Sequence, residues 1–135
     1  MPPEPRLDEE ERALFARGVE QFNAGLFFEC HDTLEEMWSG LRGPARDFFQ
    51  GLIQVSVAFY HLEAGNGPGA LSMLSRALKR FAAYPDVYFG FDLAAHRAEL
   101  EDRRARIEAG EPPGAPPRWS FAWRERPVAT GQAED

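Results

Sequence analysis

Residues 44–64 read PARDFFQGLIQVSVAFYHLEA. Phe48, Phe49, Leu52, Ile53, Val55, Val57, Phe59 and Leu62 make this segment apolar on most sides. A helix of that kind belongs in the middle of a bundle, where neighbours cover it all round. Pro44 suits a first helical position.

The neighbours follow in both directions. Upstream, GLRGP (40–44) connects to a helix over Phe27–Trp38 that stops at SG. NAG (23–25) ends an earlier helix, with Gly25 free to take a left-handed cap. Asp8 and Glu11, three residues apart, form a capping-box start for it. Leu14, Phe15, Val19 and Phe22 recur along it at helical spacing. Downstream, GNGPG (65–69) is a tight break before ALSMLSRALKRFAAY (70–84). Leu71, Leu74, Leu78 and Phe81 form its stripe, and Lys79 and Arg80 complement its dipole. YPDVYFGFD (84–92) reads as an aromatic loop, and Asp92 caps a fifth helix over 93–110. Leu93, His96, Leu100 and Ile107 face inward there, and His96 is expected to be a hydrogen-bonded core histidine.

The expected fold is therefore all-α: a single-domain bundle of about five helices with short connections. Residues 1–7 should be extended and loose, 8–110 form the bundle, and 111–135 form a Pro- and aromatic-rich tail. WSFAW (119–123) is the one stretch that alternates like a strand. Two Trp in five residues are costly to leave in water, so Trp119, Phe121 and Trp123, between Arg118 and Arg124, should dock on the bundle itself.

Composition narrows the function. The chain has 135 residues, 44% of them hydrophobic, and a net charge of −7. The acidic balance works against nucleic-acid phosphates and anionic membrane surfaces. One cysteine, Cys30, rules out an internal disulfide and a Cys-rich zinc site. It lies beside Met37 on the apolar side of its helix and reads as an inert thiol. No apolar run approaches ~18 residues, and the start lacks a cationic-then-apolar leader. The expectation is a cytoplasmic protein whose partner is a small molecule or a protein, a second copy of the chain included.

The polar residues that face inward carry the functional question. In FFECHDTLEEMW (27–38), with Phe28 at zero, Leu34, Phe27, Trp38 and His31 fall between about 240° and 300°. Glu35 borders that arc, while Glu29, Asp32 and Glu36 lie on the solvent side of Phe28. His31 and Glu35 are an i,i+4 pair, able to share an ion or a hydrogen bond. Trp38 reads as a core plug in their support. On the next helix Gln50, Gln54 and His61 form one narrow polar stripe. Antiparallel packing should bring that stripe to His31 and Glu35, away from bulk water. Two readings stay open. In one, His31, Glu35 and His61 ligate zinc, iron, manganese or nickel, with Gln54 and Gln50 in support. In the other, the same groups form a buried hydrogen-bond network.

FNAGLFFECHDTLEEMW (22–38), FFQGLIQVSVAFYHLEAGN (48–66) and GALSMLSRAL (69–78) together resemble the domain-of-unknown-function family numbered 309. The resemblance runs over about residues 14–100. Its signature, H-x-x-x-E-x-x-(W/Y), corresponds here to His31, Glu35 and Trp38. The family often has Glu after the histidine, where this chain has Asp32. The resemblance implies an all-helical fold and metal binding through the signature, and it adds no substrate.

Several enzyme classes are absent from the motifs. There is no H-E-x-x-H, no Glu-x-x-His of the ferritin-like kind and no phosphate loop, since GNGPG lacks the Lys-Ser/Thr and follows a helix. The exposed acids Glu29, Asp32 and Glu36 read as a solvated face rather than a magnesium site. Two hypotheses remain: a metal-binding protein, extending to a metal-dependent hydrolase, or a non-catalytic helical interaction module.

Overall fold

The computed structural model describes residues 2–122. Trp123, Arg124 and the rest of the expected tail lie outside them. Five helices follow in order: α1 (Glu9–Asn23), α2 (Phe27–Ser39), α3 (Arg46–Glu63), α4 (Gly67–Phe81) and α5 (Leu93–Glu108). Between α4 and α5 sits a two-stranded antiparallel ribbon, β1 (Val87–Tyr88) and β2 (Phe91–Asp92). The all-α expectation is met, with this small ribbon added. Among the described residues no helix is long and apolar enough to cross a membrane.

Each helix packs on the next in sequence, as short connections require. Phe28 of α2 meets Tyr60 of α3, and Trp38 meets Arg46, so these two helices run antiparallel. α3 lies at the centre, with Phe48, Phe49, Leu52, Val55 and Ala58 wholly buried. Close approach on its α4 side depends on Gly51, where a Cβ would stand 2.6 Å from the Phe81 ring.

Local chemistry sets the ends. Asp8 accepts from Glu11 N–H at 2.7 Å, and Glu11 accepts from Asp8 N–H at 2.9 Å, completing the capping box. α3 begins at Arg46, after a turn that contains Pro44. α4 begins earlier than the GNGPG break suggests, because Asn66 caps it by accepting from Gly69 N–H and Pro68 fits its first turn.

The strands lie at 87–88 and 91–92, not in WSFAW, whose described residues form no strand. Phe89 and Gly90 both take positive φ, 55° and 70°, the backbone of a tight hairpin turn. The N-terminal segment is extended but not loose. Tyr88 Oη donates to Pro3 C=O at 2.6 Å, Phe89 N–H donates to the Glu4 carboxylate at 2.9 Å, and Leu7 is buried.

The described part of the tail docks on its own bundle through Trp119 and Phe121. Asn23 clamps Trp119, accepting from its N–H and donating to its C=O, both at 2.8 Å. The Trp119 ring stacks on Phe22 and Phe121 stacks on Phe91. His96 is buried among Phe81, Phe91 and Trp119. Contrary to expectation, neither of its ring nitrogens has a hydrogen-bond partner. The rings that surround it offer no hydrogen-bond acceptor.

Candidate functional site

His31 lies on the outer face of α2, one turn before Glu35. Its Nε2 stands 3.6 Å from Glu35 Oε2, with side-chain exposures of 23% and 51%. Its Nδ1 is 3.1 Å from Phe28 C=O, so Nδ1–H is the donor. That bond fixes the tautomer and leaves Nε2 facing the carboxylate. The pair expected from the i,i+4 spacing forms, but at the surface rather than walled off from water.

The other polar residues are arranged differently. His61 Nδ1 is 3.3 Å from Asn66 Nδ2, and the ring lies against Gly69 at the start of α4. Gln54 is buried, and its Oε1 has no hydrogen-bond partner. Gln50 is half-buried on the same outer stripe. Among the described residues no hydrogen bond joins His31 or Glu35 to Gln50, Gln54 or His61. Nor does any group of three or more His, Cys, Asp or Glu stand where it could hold a metal ion.

The reason is rotational. With Gln50 at zero, Tyr60 lies near 280° on α3 and Asp47 near 60°, at about 100° per residue. Tyr60 meets α2 through Phe28, whereas Asp47 meets α4 through Arg80 at 2.7 Å. Gln54 and His61, near 40° and 20°, belong to the α4 flank. α2 therefore meets the edge of α3 that carries Ile53 and Tyr60, not the polar stripe.

What replaces the expected cluster is a row of four rings across the two helices. His31 and Phe28 have centroids 5.3 Å apart, Phe28 and Tyr60 5.6 Å, and Tyr60 and His61 6.1 Å. Two aromatic rings thus stand between the imidazoles. Phe28 is 52% exposed and Tyr60 41%. Neither ring is among the candidate residues that the sequence points to. The available signal was the place of Phe28 on the helical wheel, between the apolar arc and the acids.

Trp38 is half-buried and fastens the α2–α3 connection. Its Nε1–H donates to Arg46 C=O at 3.0 Å, and the Arg46 guanidinium lies 3.7 Å from its ring centroid. Arg46 also donates to Trp38 C=O and Leu41 C=O, at 2.9 and 2.8 Å. Cys30 is buried, and burial pushes its thiol up to about 12 despite hydrogen bonds with Ser56 and the Phe22 backbone. It is a protonated core thiol, as its place on the wheel suggested. A cavity of about 280 Å³ lies away from the ring row, between the α1–α2 turn and Pro116–Arg118.

The family model described as "Domain of unknown function (DUF309)" matches residues 15–73. That segment carries the DUF309 sequence pattern. The DUF309 segment holds most of α1, all of α2 and α3, and the first half of α4. It includes the whole ring row, the His31–Glu35 pair and the Trp38–Arg46 fastening. An uncharacterized protein of Aquifex aeolicus (strain VF5) is 31% identical over 93 residues, which is 68% of this chain and 28% of that protein. The uncharacterized protein YpuF of Bacillus subtilis (strain 168) is 35% identical over 54 residues, 39% of this chain and 31% of YpuF. In both relatives the stretch matched by this chain is less than a third of a longer protein.

Proposed function

We propose that this protein is a non-catalytic helical interaction module whose contact surface is the outer face of α2 and α3. The observation that carries the reading is the Phe28–Tyr60 ring pair, half out of water on a bundle whose other Phe, Tyr and Trp rings, among the described residues, are buried or half-buried. Exposed apolar surface has a free-energy cost that contact with a partner removes. Aromatic side chains of this kind are enriched where proteins bind one another. The stretch that this chain matches in its relatives also lies within longer proteins, as a reusable module does. The test places a photocrosslinking side chain at position 28 and, as a remote control, at exposed Val87. A discrete adduct from position 28 alone is expected. Its purified partner should lose binding to a Phe28→Ser/Tyr60→Ser variant that keeps the parent's circular dichroism. Adducts equal at both positions, or binding indifferent to the two rings, would overturn the module.

A second reading rests on the His31 tautomer. With Nδ1–H bonded to Phe28 C=O, the Nε2 lone pair and the Glu35 carboxylate face each other. That arrangement suits a cation between the two groups. His31 and Glu35 supply two donors suited to zinc, iron, manganese or nickel, and further ligands must come from outside the described residues. An ion so held would polarise water, the chemistry that metal-dependent hydrolysis uses. Metal analysis of untagged protein decides this reading. Stoichiometric metal lost in His31→Ala supports it, and no metal after loading with each of the four ions ends it.

A further inference from the structure

We infer that the partner seated on the Phe28–Tyr60 surface is a cationic amphipathic helix. The inference rests on the interaction-module reading and adds the chemistry of the partner. Its basis is the charge around the rings. Glu29, Asp32, Glu35 and Glu36 are all exposed on α2, and that helix carries no Lys or Arg. Asp32 and Glu35 follow Phe28 at i+4 and i+7, on its own side of the helix. Among the described residues Glu29, Asp32 and Glu36 have no ion-pair partner, and Glu35 has only His31. The surface therefore has an apolar centre and an acidic edge with its charges unmatched.

Charge complementarity selects among occupants. A second copy in face-to-face contact would set the carboxylates of one α2 against those of the other, which is repulsive. Nucleic acid and anionic membranes carry the wrong sign. Of the chain's own α5 arginines, Arg97 pairs with Asp86 and both Arg103 and Arg106 with Asp102, while Arg104, among the described residues, reaches only the Ser75 hydroxyl, across on α4. A partner helix with apolar residues at i, i+3, i+4 and i+7 and Lys or Arg beside them satisfies both halves of the surface. Its apolar stripe covers Phe28, Tyr60 and the half-buried Val57, and its cations reach Asp32 and Glu36.

The experiment uses the full chain and two synthetic helical peptides of about 14 residues, four turns each. One is built of Leu and Lys, the other is the same pattern with Glu for Lys. Binding is measured by fluorescence anisotropy at moderate salt for the parent, Phe28→Ser/Tyr60→Ser and Asp32→Asn/Glu36→Gln. The Lys peptide should bind the parent and weaken about tenfold or more in each variant, while the Glu peptide should not bind. Lys-peptide binding that ignores Phe28 and Tyr60 would be diffuse attraction to an acidic protein and would overturn the inference. So would the absence of Lys-peptide binding. Glu-peptide binding, or self-association in sedimentation, that is lost on changing the two rings would refute the cationic partner and leave the module standing. No event dependent on the rings, with peptide or second copy, would refute both.

Discussion

Trp119 lies flat on Phe22, with ring centroids 3.8 Å apart and planes 4° from parallel. The contact joins a residue beyond the last helix to the end of the first, and Asn23 holds it there with two backbone hydrogen bonds. Removing a buried Trp ring from such a site costs about 3–5 kcal/mol. Trp119→Ala should therefore lower the midpoint of urea unfolding by an amount equivalent to at least about 3 kcal/mol, although Trp119 lies outside residues 15–73. A midpoint within experimental error of the parent would mean that the tail does not dock in solution.

His96 carries a pH dependence. Burial alone pushes its imidazole down from 6.5 to about 3. The unfolded chain takes up a proton below about 6.5 that the folded chain refuses. Stability from the neutral ring is fully present above that pH and is lost as the pH falls towards about 3, at about 1.4 kcal/mol per unit. The difference in unfolding free energy between the parent and His96→Leu, measured from pH 7 to pH 4, should move in favour of the variant as the pH falls. A difference independent of pH would show that His96 is hydrated or paired in solution.

How much of this was legible depends on how many elements each feature needs. The His31–Glu35 pair follows from one helix, because i,i+4 spacing alone brings the side chains together. The inward direction of His96 follows in the same way from its stripe with Leu93 and Leu100. The partner of His61 needs the rotation of α3 between two neighbours, and no periodicity within α3 says which flank α2 takes. The absence of a partner for His96 depends on rings contributed by α4, β2 and the tail. The hairpin strands are two residues long, below the length at which alternation can be read. The anchoring of Pro3 and Glu4 involves groups 85 positions away. The exposed rings were hidden for a different reason: Phe and Tyr are read as core material unless coordinates show otherwise.

Gly51 tests the close packing of α3 on α4. A Cβ there would stand 2.6 Å from Phe81 Cε1 and 2.9 Å from Cζ, and the Phe81 ring is itself wholly buried. Alanine favours a helix interior by about 1 kcal/mol over glycine, but overpacking of this kind costs about 1–3 kcal/mol. The clash should win, so Gly51→Ala is expected to lower the thermal midpoint. An unchanged or raised midpoint would mean that α3 and α4 separate easily enough to admit a methyl group.

Arg46 and Trp38 decide whether the tryptophan of the H-x-x-x-E-x-x-W stretch is structural. The guanidinium donates to two carbonyls of the α2–α3 connection while stacking on the indole, and the indole N–H returns a bond to Arg46 C=O. A lysine ammonium has neither the planar fork nor the stacking face, so Arg46→Lys should cost about 1–2 kcal/mol. Trp38→Phe keeps a ring and loses the N–H bond, at a cost of about 1 kcal/mol. Because both changes break one joint, the double variant should lose less than the sum, with a coupling energy above about 0.5 kcal/mol. Strict additivity in urea unfolding would show that Trp38 and Arg46 do not act as one joint.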